Sequence, residues 1–212
     1  MNRGCFIALE GGEGTGKSTQ ARLLAEKIGD SGREVVLTRE PGGTPGAEAI
    51  RALLLDPAGE GWGARAEALL FAAARSDHVE RLIRPALERG AWVVCDRFVD
   101  SSRAYQGGAG AVGDLDIQAL HAIGSDGLRP DLTILVDVDA TLIAERLAQR
   151  DGGASDAIGG RSSEYHSRVA EAFRKLAEEG QDNFVVIDGD GPVEQVQAKV
   201  WAAVEPMLER QS

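Results

Sequence analysis

The stretch GGEGTGKST, residues 11–19, stands between an apolar run, CFIALE (5–10), and a helix-like segment, ARLLAEKI (21–28). It fits the pattern Gly-x4-Gly-Lys-Ser of a phosphate-binding loop, in the strand-to-helix context that motif requires. Glycine carries no Cβ, so the backbone can turn its N–H groups inward and approach a phosphate closely. The helix starting near Lys17 adds unpaired N-terminal donors and the positive end of its dipole. In this reading Gly11, Gly12, Glu13, Gly14, Thr15, Gly16, Lys17, Ser18 and Thr19 hold a nucleoside triphosphate such as ATP. Lys17 reaches the β- and γ-phosphates, and the Ser18 hydroxyl ligates Mg²⁺. A glycine-rich turn matching by chance would need neither flanking element. Glu13 is the odd residue, an acid in a loop built for anions.

Working outward, five short apolar runs read as buried parallel strands: CFIALE (5–10), EVVLT (34–38), WVVC (92–95), LTILVDV (132–138) and FVVID (184–188). Helical patterns separate them. Residues 17–28 put Leu23, Leu24 and Ile28 on one face. Residues 64–89 carry Leu69, Leu70, Ala73, Val79, Leu82 and Ile83, and residues 164–178 carry Tyr165, Val169, Phe173 and Leu176. Alternating strands and helices predict an α/β P-loop NTPase fold. Its five-stranded parallel sheet is flanked by helices on both faces, with ligands at the carboxyl ends of the strands. No repeat or Pro/Ser linker divides the 212 residues, so residues 1–212 are expected to form a single domain.

Composition narrows the partners. Acids outnumber bases 34 to 23, for a net charge of −11. That argues against nucleic acid as a partner, and it makes clustered arginines informative. The sequence has no apolar run near the ~20 residues of a membrane span, and no secretory pattern precedes the first strand. Cys5 and Cys95 lie in apolar runs, so buried free thiols suited to a reducing cytoplasm are expected.

Three segments interrupt the periodicity, each in a loop following a strand: REPGGTPG (39–46), DRFVDSSRAYQGG (96–108) and RDGGASDAIGGRSS (150–163). Loops held by a rigid sheet commonly carry chemistry. The third, about 150–163, is glycine- and serine-rich and charged, and reads as a flexible lid that closes on substrate. Asp96 ends the third strand, where a P-loop fold places an acid for Mg²⁺. Arg97 follows it. Arginine's planar fork suits a phosphate, and Arg51 and Arg75 lie in neighbouring segments; Arg39 reads better as a surface residue. In LFAAAR (70–75), Phe71 and Arg75 stand four apart on one helix face, suited to stacking on a base and donating to its carbonyl. A phenylalanine in an apolar helix is more often core, so that pairing stays open. Arg146 and Arg150 are also four apart, on the helix entering the lid, where a cation can reach a transferring phosphoryl group. A solvated helix face is the alternative.

Together LEGGEGTGKST, TREPGGTPGAEAIR, LLFAAAR, DRFVDSSRAYQGG, RPDLTILVDV and YHSRVAEAF resemble bacterial thymidylate kinases nearly end to end. The resemblance implies phosphorylation of dTMP to dTDP with ATP and Mg²⁺, by a cytoplasmic homodimer. It implies that Glu13 faces the acceptor sugar and its 3′-hydroxyl rather than the ATP phosphates. Phe71 then stacks on thymine, Arg75 bonds its O4, and Ser102 reaches the base edge. Arg97 and Arg51 contact the acceptor phosphate, Tyr105 crowds the 2′ position, and Glu40 and Pro41 line the acceptor pocket. Asp96 is the acid near magnesium.

The sequence departs from the family's pattern in two places. Some relatives carry an arginine where this chain has Gly14, and those with glycine are thought to supply the cation from the lid, which points to Arg150 as catalytic beside Lys17 and Arg97. Many relatives have Asp-Arg in the lid where this chain has Asp156-Ala157. That leaves the second lid cation unassigned, with Arg161 the candidate. Two rival readings are a kinase for another nucleoside monophosphate and a non-catalytic ATP- or GTP-binding regulator. No Asn/Thr-Lys-x-Asp guanine motif follows the fourth strand.

Overall fold

A computed structural model describes residues 3–57, 59–151, 156–179 and 183–210, with the side chains of residues 149–151 and 210 outside the description. Five strands, β1 (Phe6–Glu10), β2 (Val35–Arg39), β3 (Trp92–Asp96), β4 (Leu132–Asp137) and β5 (Phe184–Asp188), form one parallel sheet in the order β2-β3-β1-β4-β5. Strand β1 is central, with Ala8 opposite Cys95 on one side and Thr133 on the other. Its carboxyl end opens into the glycine-rich loop, where an open α/β sheet places its ligand.

Alternation along β1 divides the core. Ile7 and Leu9 pack with Val94, Ile134 and Val136 under α1 (Lys17–Asp30) and α9 (Val193–Arg210). Phe6 and Ala8 face the other way, with Val93, Cys95, Phe98 and Val99. On that face lie α2 (Pro45–Leu55) and α3 (Ala64–His78), which runs through a π-helical turn, Val79–Ile83, into α4 (Arg84–Glu88). The short α5 (Val99–Ser102) passes into a second π-helical turn, Arg103–Gly108, and α6 (Asp114–Ser125) packs against α3. Beyond β4, α7 (Ala140–Asp151) leads toward the predicted lid, and α8 (Ser163–Glu179) covers β4 with Tyr165, Val169, Phe173 and Leu176, the four residues its periodicity predicts.

Two expectations need correction. The strands were all expected to be buried, but only β1, β3 and β4 are; the edge strands expose Leu37 (47 %) and Val186 (51 %) because each has a neighbour on one side only. The face of α3 differs more. Its buried side holds Glu67, Arg75 and His78, while Leu69 and Ala73 point outward. Polar groups can face inward there because each finds a partner in the wall of a cavity, which offsets the cost of burying it.

Candidate active site

The glycine-rich loop forms because its backbone goes where a side chain could not. A Cβ on Gly11, at φ 145°, would come within 2.7 Å of the Val136 carbonyl oxygen. Gly16 caps α1 in the left-handed conformation (φ 87°), leaving the first N–H groups of the helix without a side-chain cap. Such donors and the dipole make an anion site. Lys17 is 5 % exposed, and its Nζ donates to the Gly12 carbonyl at 2.8 Å. Burial, and then the charge of Arg97, pull its pKa down, against the opposing pull of Glu13, Asp96 and Glu10.

At the end of β3, the Ser18 hydroxyl donates to Asp96 Oδ2. The other carboxylate oxygen, Oδ1, is buried without a partner. A hydroxyl and an unpartnered carboxylate oxygen side by side are the hard donors that Mg²⁺ takes while keeping waters and substrate phosphates as its other ligands. These residues fit that ion. Among the described residues no group of three or more His, Cys, Asp or Glu could hold a metal by itself.

Arg97 is held from several directions. Its backbone adopts φ 72°, a left-handed conformation that costs a side-chain-bearing residue of order 1 kcal/mol. The surroundings enforce it. The Arg97 N–H donates to Leu9 O at 2.9 Å, and the guanidinium donates to Gly11 O (2.9 Å), Ser101 Oγ (3.1 Å), Glu13 Oε1 (2.6 Å) and Tyr105 Oη (3.2 Å). Glu10, fully buried, anchors the next turn. It accepts from the N–H groups of Phe98 and Ser101 and from the Ser101 hydroxyl. Burial and then Asp100 push its pKa up to about 8.

In front of this cluster lies a cavity of about 370 Å³. Glu13, Lys17, Ser18, Asp96 and Arg97 line one end, and Glu40, Pro41, Arg51, Phe71, Arg75, Ser102 and Tyr105 line the rest. Gly11, Gly12, Gly14, Thr15, Gly16 and Thr19 do not line it. Pro41 follows a cis peptide bond, and Arg51 donates to its carbonyl at 2.7 Å. Arg75 is 3 % exposed, with Nε on Glu40 Oε2 (2.7 Å) and Nη2 on Ser102 Oγ (2.8 Å) and Phe98 O (3.3 Å). Burial alone would raise the Glu40 carboxyl, but Arg75 and His78 outweigh it and hold the pKa below the ordinary value. Arg39, read as a surface residue, is 55 % exposed and paired with Glu48, although it also borders the cavity.

Of the predicted lid, Asp156 and Ile158 line the cavity, and Ala157 N–H bonds to Leu55 O at 3.2 Å. The Arg150 side chain lies outside the described residues, as do residues 152–155. Arg161 turns away from the cavity. It donates to Glu67 Oε2 and to Tyr165 Oη, while Tyr165 Oη donates to Tyr105 O. Arg146 donates to Thr15 O and Gly189 O. Sequence reasoning missed Glu10, Glu67, His78, Ser101 and Gln106. The available signals were weak: an acid closing the apolar run CFIALE, and a histidine three positions after Arg75.

Comparison with known proteins fits this geometry. A sequence model of the thymidylate kinase family matches residues 9–200. The chain belongs to the thymidylate kinase family. It is 53 % identical to the thymidylate kinase of Rhizorhabdus wittichii, over 97 % of this chain and 99 % of that one. It is 49 % identical to the thymidylate kinase of Rhodopseudomonas palustris, over 97 % and 90 %. The crystal structure of thymidylate kinase from Ehrlichia chaffeensis superposes with a TM-score of 0.78 at 31 % identity, covering 95 % of this chain and 99 % of that one. Family membership makes this chain an enzyme that phosphorylates dTMP to dTDP.

Proposed function

We propose that the chain transfers the γ-phosphoryl group of ATP in line to dTMP, with the acceptor in the 370 Å³ cavity and the donor on the glycine-rich loop. The observation that carries this reading is Arg97. It touches Gly11 of the donor loop and Glu13 at its rim while facing the cavity, so one guanidinium lies between the two sites.

The acceptor oxygen belongs to a phosphate dianion and is already a competent nucleophile, so no general base is required. Alignment and charge neutralisation remain. Lys17 would neutralise the β- and γ-phosphates. Arg97 and Arg51 would hold the acceptor phosphate, Arg75 and Ser102 would donate to the base edge, and Phe71 would stack on its face. Tyr105, locked against Arg97, would close the sugar's 2′ side, and Glu13 would meet the 3′-hydroxyl. Glu40 and Pro41 would form the wall behind the base. Ser18 and Asp96 would hold Mg²⁺, which supplies charge neutralisation to the phosphates when bound. Arg150, at the end of α7 where the chain enters the lid, would add the lid's cation to the migrating group.

Coupled ADP release tests this with ATP and Mg²⁺ against dTMP, dUMP, dCMP, dGMP, AMP and UMP. Strong turnover on dTMP, with weaker dUMP, is expected. Turnover on another monophosphate instead would keep the kinase and discard the base assignments. No acceptor-dependent turnover would favour a nucleotide-binding regulator.

We also propose a homodimer in the cytoplasm. Leu53 on α2, Leu69 on α3, and Leu115 and Ile123 on α6 are exposed, with Ile123 at 85 %. α3 packs against both α2 and α6, so these apolar residues suit contact with a second copy. Among the described residues no helix is long and apolar enough to cross a membrane, and both cysteines are free and buried.

A further inference from the structure

His78 is fully buried beside the cavity, at 0 % exposure, yet it does not line it. Its ring bridges two segments. Nδ1 lies 3.1 Å from Glu40 Oε1, and Nε2 lies 2.7 Å from Thr38 Oγ1. Glu40 is ionised and can only accept, so Nδ1 carries a hydrogen toward it. The other oxygen of the same carboxylate takes Arg75 Nε, and Arg75 Nη2 continues to Ser102. The result is a buried chain, Thr38–His78–Glu40–Arg75–Ser102, joining the end of β2 to α3 and α5. Gly43 packs on its outer end, where a Cβ would come within 2.6 Å of His78 Nε2.

We propose that His78 is a positioning residue for acceptor selectivity, holding Glu40 so that Glu40 fixes the Arg75 guanidinium in one orientation at the cavity wall. Arginine has donors only, so a fixed guanidinium accepts a base bearing a carbonyl at that edge and leaves an amino group opposed by another donor. A site with a buried polar group set for one partner rejects its mismatched analogue strongly, provided the group cannot swing away. His78 removes that freedom. The proposal rests on the assignment of Arg75 to the acceptor base.

Asparagine places its amide near the position of Nδ1, and glutamine places its amide near Nε2. The His78→Asn variant can therefore keep the bond to Glu40, whereas His78→Gln keeps only the one to Thr38. For His78→Gln we expect KM for dTMP to rise about tenfold and the dTMP-over-dCMP preference to fall by a similar factor. KM for ATP should stay within about twofold, since no donor-loop contact is touched. His78→Asn should restore most of both losses. Thr38→Val, which frees the far side of the ring without removing it, should give the same KM split at smaller amplitude, and it stands in if His78→Gln fails to fold. Equal damage from the asparagine and glutamine variants, KM values for ATP and dTMP rising together, or no change in either overturns the proposal. Arg75→Lys in the same assay separates the two failures. If it leaves KM for dTMP unchanged, the base assignment itself is wrong. If it raises KM while His78→Gln does not, only the role of His78 falls.

Discussion

Lys17 shows function and stability opposed in one side chain. Burial and the charge of Arg97 both disfavour its ammonium, which in the described structure has a backbone carbonyl as acceptor, Gly12 O. Replacing such a cation with an apolar chain of similar length removes a desolvation cost. Lys17→Met should therefore melt at the wild-type temperature or above it while kcat/KM falls about 10²- to 10³-fold. Differential scanning calorimetry alongside ADP-release kinetics checks both halves. A variant within a few-fold of wild type would remove Lys17 from phosphoryl transfer. His121 is a second residue whose environment sets its behaviour. Its Nε2 faces Leu128 O, its Nδ1 is buried without a partner, and burial, then Arg75, lowers its pKa to about 4. The unfolded chain takes up a proton near pH 6.5 that the folded chain refuses until about 4, so folding weakens as pH falls through that window. The loss is of order 3 kcal/mol at full extent. His121→Gln, whose amide can keep the Leu128 bond, should flatten the dependence of Tm on pH between about 6.5 and 4; an unchanged slope would show that His121 does not set it.

At the scale of elements, the proposed roles of Arg150, at the end of α7, and Arg161, before α8, can be separated by kinetics. Arg161, just before α8, is tied to Glu67 on α3 and to Tyr165, and Tyr165 reaches the backbone of Tyr105 beside Arg97. A guanidinium committed to a carboxylate is not free to follow a migrating phosphoryl group. Arg161→Ala should therefore raise KM for dTMP by several-fold and alter kcat little. Arg150→Ala should cost kcat about 10³-fold if it is the lid's transition-state cation. Steady-state kinetics of the pair decides between them, and the reverse pattern would move the catalytic role to Arg161. The π-helical turns belong to this scale too. Each adds a residue to a turn, one where α3 passes into α4 and one holding Tyr105 and Gln106 at the cavity, and such insertions recur at functional sites.

For the whole molecule, the outward face of α3 sets the expected assembly. Leu69 is 56 % exposed in a helix whose inward side is spent on Glu67, Arg75 and His78. Light scattering on the purified chain should give about twice the 22.4 kDa of one copy. Leu69→Glu combined with Ile123→Glu should give a monomer, because two buried charges without partners oppose association strongly. A wild-type chain that stays monomeric at micromolar concentration would leave that face without a second copy.

Much of this was readable in the chain itself. The loop at residues 11–19 between an apolar run and a helix determined the fold class, since glycine freedom, helix-terminal donors and a lysine serve one purpose in that arrangement. All five strands were legible as short apolar runs, although burial on both faces holds only for β1, β3 and β4, and the stripe on α8 was read correctly from its 3.6-residue period. Periodicity failed on α3 because it assumes that the buried face is the apolar one. Only tertiary structure could reverse that, by bringing Glu40, Ser102 and Gln106 from distant segments to partner Arg75 and Glu67. Glu10 and His78 were hidden for the same reason. A buried charge is tolerable only with its partners present, and those partners come from segments the sequence keeps far apart.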